Sequence, residues 1–502
     1  MFGGLGREAT GRGETNDMRR MIGTGLGLLL SASIVVSCGP DVPAVDTGAE
    51  QLVDGYANVL VTTGDGAKLL SVEPRVPIAN GPGAAAVVVD IDRSARYQSM
   101  AGVGAAMTDS SAWVLSTRLN DVTRTQVIND LFGRRGANLS VVRVPLSSTD
   151  FSLDDFTYDD IEPPGEDPDL TGFSLVREEQ QRFPLLRAAR AVNPDLTLVG
   201  SAWTAPGWMK SGASADRLGV VGGTLAAGMT EVYSRYLRRV VAGYADAGVP
   251  LALLTVQNEP AHETNNYAGM VLSPQQEADL AIELADGLQA DGSSTELLVH
   301  DHNWNGAPRA LDVLARVAGT PRIAGSAFHC YSGNPSAQST VHNAYPDLDI
   351  HFTECTGTES SGTFESNLLW NARVLLVDSV RNWSRSVVLW NLALDERSGP
   401  RVGGCRDCRG VLTIHPDGHV TRNEEFYALA QFGRGVDVGA TRIGSSSASG
   451  GIHNVVFENP DGSTVAFLVS TASQPVDVAL TDGDRSVAVT LPARSVVTLR
   501  WA

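Results

Sequence analysis

The sequence predicts an α/β protein: a (β/α)8 barrel, the TIM-barrel architecture, with a β-sandwich side domain built from both chain ends. Three observations lead there. Between residues 95 and 434, short apolar runs alternate with longer helical stretches, and eight such runs occur. Most are apolar through their centres, as strands covered on both faces must be. The flanking segments 51–94 and 435–502 lack helical periodicity and read as short strands between Gly, Asp and Asn turns.

Taken in order, residues 1–38 read as an export signal with an upstream extension at 1–17. Met18-Arg19-Arg20 is a charged start, 21–36 is apolar, and Ser37-Cys38 offers a small residue and a cleavage point. Val35-Val36-Ser37-Cys38 also resembles a lipobox, making Cys38 a lipidation candidate; ordinary secretion is the alternative. The chain is therefore expected to be exported, and either anchored to the cell envelope through lipidated Cys38 or released. Residues 39–50, rich in Pro, Asp, Gly and Ala, read as a tether. Strands follow at 58–63 and 86–90.

The eight barrel strands are expected at 98–103, 139–144, 196–202, 251–257, 296–300, 323–329, 349–353 and 386–389, with helices such as 227–247 and 274–289 between them. A doubly wound open sheet is the rival, but no G-x-G-x-x-G follows the first strand. Strands at 455–457, 464–469, 476–480 and 487–491 close the chain. They are expected to pair with the N-terminal strands, because chain ends often lie close together.

A length of 502 residues suits two domains. Apolar residues at 43% and charged residues at 19% mark a folded chain. With 57 acidic and 38 basic residues the net charge is −19, which argues against nucleic acid or anionic lipid as the main partner. Of the five cysteines, Cys405 and Cys408 form a C-x-x-C, expected as a local disulfide rather than a zinc site. Cys330 and Cys355 follow apolar runs and are expected as buried free thiols.

In such a barrel, reactive groups sit at the C-terminal ends of strands. The fourth run ends Asn258-Glu259-Pro260 and the seventh ends Thr353-Glu354-Cys355. Two carboxylates facing each other across a mouth are what glycosidic cleavage uses. One protonates the leaving oxygen; the other attacks the anomeric carbon or activates water. Glu259 is then expected protonated and Glu354 ionised. No metal or cofactor is called for. The sixth run ends His329-Cys330-Tyr331 and the fifth Asp301-His302-Asn303-Trp304. Asp109, in the first glycine-rich motif, reads equally as a turn residue or a sugar contact.

The chain resembles glycoside hydrolase family 30, the glucosylceramidase-like retaining β-glycosidases, and its bacterial members in particular. The runs 102–110, 142–152, 201–210, 256–260, 352–355 and 389–395 carry the resemblance, in order. It implies a barrel with a β side domain from both chain ends. It implies that Glu259 is the general acid/base and Glu354 the nucleophile of a double displacement. It implies that Asn258 bonds the sugar 2-hydroxyl, and that Asp150, Trp203 and Trp390 hold the ring in the −1 subsite. His329 and Tyr331 fall at site positions, with Tyr331 bonding the nucleophile. Arg143 supports a carboxylate or forms an ordinary buried ion pair, and Trp304 walls the aglycone side or packs a loop. The implied substrate is a β-glucoside: glucosylceramide-like, small, or a β-1,6-glucan. Residues 403–410 depart from the animal glucosylceramidases and keep endo-β-1,6-glucanase open. β-Xylosidase or β-fucosidase activity, and a catalytically silent sugar-binding surface lipoprotein, are the remaining alternatives.

Overall fold

Eight parallel strands close the central barrel: Gly102–Ala106, Val141–Leu146, Thr197–Ala202, Leu253–Thr255, Glu296–Asn303, Ile323–His329, Asp349–Glu354 and Ser384–Asn391. The first pairs with both the second and the eighth, completing the ring. The computed structural model describes residues 51–161, 165–447 and 449–502. The export signal, Cys38 and the tether expected from the sequence lie outside the described residues. Among the described residues, no helix is long and apolar enough to cross a membrane.

The first strand begins later than expected. Gln98 and Ser99 end a side-domain strand, Val87–Ser99, and the barrel strand starts at Gly102. The chain changes sheets at Gly102, whose φ is +117°. A Cβ there would stand 1.7 Å from the Ser140 hydroxyl oxygen, so the crossing needs glycine.

The barrel interior is layered. Val141, Val199, Leu253, Leu298, Ala327 and Val388 form an apolar layer, one from each of six strands. Further along four of these strands stand Arg143, Ser201, Thr255 and Asp301, and the seventh strand adds Thr353, all buried and polar. The outer helices bury one stripe each. Thr230–Asp246 buries Val232, Tyr233, Tyr236, Leu237, Val240, Val241 and Tyr244, at helical spacing. Pro274–Ala290 starts at a capping box between Ser273 and Gln276, with proline in its first turn.

Nine strands make the side domain. Tyr56–Thr63, Ser71–Asn80 and Val87–Ser99 come from the N-terminal side; six between Thr441–Ser445 and Ser495–Trp501 come from the C-terminal side. They hydrogen-bond into one closed circuit around a core that includes Val59, Val89, Leu468, Leu480 and Trp501. The last barrel helix, Glu424–Gly433, docks the two domains. Phe432 meets Phe457 and Phe467 edge-on, with ring centroids 5.5 and 5.3 Å away. Gln431 donates to Thr62 and accepts from Thr498, both side-domain residues.

Cys405 and Cys408 form the expected disulfide. Cys330 and Cys355, expected as free thiols, are instead joined to each other. The sixth and seventh strands are neighbours, with His329 opposite Glu354, so the next residue of each emerges beside the other, Cα atoms 5.4 Å apart. A separation of 25 residues along the chain conceals this.

Candidate active site

Two strand ends are bent to aim their side chains. Glu259 has φ +44°, a left-handed conformation that non-glycine residues rarely adopt. Its N–H donates to the Asp301 carbonyl at 3.0 Å, and the Asn258 N–H donates to the Ala202 carbonyl at 2.7 Å. The fifth strand bulges: His300 and Asp301 both have positive φ, and the register with the sixth strand slips between Val299 and His302. Asp301 is thereby fully buried.

Asp301 is the hub of the site. Its Oδ1 accepts from His329 Nε2 at 3.0 Å and the Thr353 hydroxyl at 2.6 Å. Its Oδ2 accepts from Arg143 and Thr255, each at 2.7 Å, and Ser201 at 2.9 Å. Burial opposes its charge, but Arg143 and His329 hold it well below the usual carboxylate range. Arg143, itself wholly buried, also donates to Asn258 Oδ1 at 2.7 Å and to Glu354 Oε2. Its guanidinium lies 4.7 Å from the Trp203 ring and 5.7 Å from that of Trp390.

The two glutamates have different surroundings. Glu354 takes Arg143 on Oε2 and the Tyr331 hydroxyl on Oε1 at 2.9 Å. Both are donors, and a carboxylate is an acceptor. Glu259 faces two imidazoles, with His329 Nδ1 at 3.0 Å and His302 Nδ1 at 3.5 Å from its Oε1. Burial pushes the Glu259 carboxyl up, but these two neighbours carry it below the ordinary range. Burial works against a charge on His329, yet Glu354 and Asp301 raise it to about 9. The sequence led us to expect a plainly protonated Glu259. The resting proton instead belongs to the Glu259–His329 contact and lies toward the histidine.

Around these carboxyls Trp203 and Trp390 stack on each other, centroids 5.1 Å apart and planes 20° apart. Asp150 is buried nearby, and burial together with the Glu354 charge pushes its carboxyl up to about 8. The loop after the eighth strand covers it: Val402 N–H donates to the Asp150 carbonyl, and a Cβ on Gly404 would lie 2.4 Å from the Asp150 Cβ.

Residues 100–436 match the family model described as the glycosyl hydrolase family 30 TIM-barrel domain, and residues 439–499 match the family 30 beta sandwich domain. The chain belongs to glycosyl hydrolase family 30. It is 30% identical over 453 residues to the endo-1,6-beta-D-glucanase BGN16.3 of Trichoderma harzianum, covering 86% of this chain and 90% of that one. It is 26% identical to the lysosomal acid glucosylceramidase of Mus musculus, covering 81% and 82%. Among solved structures, the endo-beta1,6-glucanase BT3312 is similar at a TM-score of 0.81 and 26% identity, covering 89% of this chain and 99% of that one.

Within this family 30 barrel, Glu259, Glu354, Asn258, Asp150, Trp203, Trp390, Arg143 and Tyr331 lie together around one site. Two expectations need correction. His329 was expected to touch substrate, but it is fully buried with both ring nitrogens engaged by carboxylates, so it positions Glu259 instead. Trp304 was expected as a wall of the aglycone side. It is 2% exposed, donates its indole N–H to Gln338 and packs on Phe352, because the turn after the fifth strand folds it inward. Asp109 is structural: it accepts from Leu153 N–H and pairs with Arg177. Asp301 and His302 were missed as site residues, although the strand-end rule that selects Glu259 applies equally to Asp301.

Proposed function

We propose that this family 30 hydrolase is a retaining β-glycosidase whose substrate is a β-1,6-linked glucan. The observation that carries the chemistry is the pairing of Glu354, held by Arg143 and Tyr331, with Glu259, held against His329. Glu354 attacks the anomeric carbon as the glycosidic C–O bond breaks, and the proton shared by His329 and Glu259 passes through Glu259 to the leaving oxygen. Water then attacks the same carbon and yields a proton to Glu259, and the bond to Glu354 breaks. Asn258 has its carbonyl oxygen taken by Arg143, so its amide nitrogen is the donor available to the sugar 2-hydroxyl.

The choice of glucan is supported by the likeness to endo-1,6-glucanases in both sequence and structure. Glucosylceramide is the second reading, favoured by the likeness to glucosylceramidases. An exported enzyme fits the signal-like run at 18–38 and two disulfides.

The test is reducing-end release from linear β-1,6-glucan beside glucose release from glucosylceramide, with Glu354→Gln as the inactive control. NMR of the first product anomer accompanies it. Glucan cleavage with a β first anomer is expected. Cleavage of the lipid alone replaces the substrate, an α first anomer rejects retention, and silence on every β-glycoside leaves a sugar-binding protein.

A further inference from the structure

Glu259 Oε1, His302 Nδ1 and His329 Nδ1 all lie within 4.8 Å of one another. The two contacts to Glu259, 3.0 and 3.5 Å, bracket the roughly 3.3 Å between ligand atoms of a tetrahedral zinc with bonds near 2.05 Å. Two further observations set this triad apart from a chance cluster. His302 Nδ1 is buried and makes no hydrogen bond of its own. Its neighbour His329 turns its other nitrogen to Asp301, the carboxylate–histidine arrangement that orients metal ligands in zinc proteins. His302 and Glu259 are each slightly exposed, with side-chain exposures of 14% and 15%, so the triad is within reach of solvent.

We infer that Glu259, His302 and His329 form a site for a divalent transition metal, with zinc as the fitting ion, and that filling it silences the enzyme. The ion would take Oε1 of the Glu259 carboxyl that hands the proton to the leaving group. Chemistry and metal therefore compete for one carboxyl group. His302 enters here as a metal ligand, and its place beside Glu259 is the reason for the competition. The inhibition, though not the binding, rests on the hydrolase reading above.

The experiment uses zinc chloride and the full chain. Calorimetry is expected to show one ion bound per chain in the micromolar range. Reducing-end release from β-1,6-glucan should fall over the same concentrations and return with EDTA. His302→Gln should weaken binding at least tenfold and bring the ratio of rates with and without zinc toward one. Glu259→Gln, followed by calorimetry alone, should weaken it likewise. Zinc bound with no loss of turnover, no binding at micromolar zinc, or binding unchanged in both variants would each overturn the inference. Because calorimetry needs no turnover, a chain that binds zinc but cleaves no glycoside sinks the functional proposal and not the site.

Discussion

Glu259 and Glu354 are the same residue type at equivalent strand ends, and their neighbours separate their tasks. Arginine and a tyrosine hydroxyl surround Glu354, while two imidazoles meet Glu259. Replacing Glu259 with Gln should lower kcat on β-1,6-glucan by about 10²–10⁴-fold, the usual worth of a positioned acid. An aryl glucoside with an acidic leaving group, which needs no proton, should lose much less in its first step. Steady-state and burst kinetics on the two substrates check this. Asp150 should set an alkaline limit. Its carboxyl is pushed up to about 8, so it is neutral below that pH and adds a negative charge beside Glu354 above it. Activity should fall as pH rises through 8. Asp150→Asn cannot ionise, so its profile should lose that limb even though its rate is lower throughout; pH profiles of kcat/KM decide.

At the scale of elements, the bulged fifth strand matters most. It buries Asp301 between Arg143 and His329, where bonds from Thr255 and Thr353 also couple the strands that lead to both glutamates. Asp301→Asn leaves a buried guanidinium short of one partner and should cost on the order of 3 kcal/mol in urea unfolding. Much of this level was legible beforehand. Seven of the eight strands fall where apolar runs end in polar residues, because a strand covered on both faces has few other compositions open to it. The first strand was misplaced, since the crossover at Gly102 is a matter of backbone clearance, not hydrophobicity. The bulge was invisible for the same reason, whereas Asp301 stood at a strand end and was open to the rule that selects Glu259. Trp304 was misread because an aromatic after a strand end fits a cleft wall and a packed core equally well in sequence.

Across the whole molecule, two cores are locked by one helix. Phe432 inserts between side-domain phenylalanines while its own helix belongs to the barrel. Truncation to alanine should cost about 3–5 kcal/mol. It should also split a single calorimetric unfolding transition into two, since the side domain would lose an aromatic contact that joins it to the barrel. A single transition in the variant would show that the remaining contacts, the hydrogen bonds of Gln431 and Arg381 and the packing of Val465 and Val496 among them, suffice to couple the domains.

The bridge between Cys330 and Cys355 ties one backbone segment bearing His329 and Tyr331 to another bearing Glu354. Anyone producing this protein must therefore mind the host. Material made where thiols stay reduced should show an unaltered far-ultraviolet circular dichroism spectrum and yet hydrolyse slowly, and should quicken once an oxidising glutathione mixture is supplied. A Cys330→Ser/Cys355→Ser double variant should stay slow whatever the buffer, which distinguishes this linkage from the one at Cys405–Cys408.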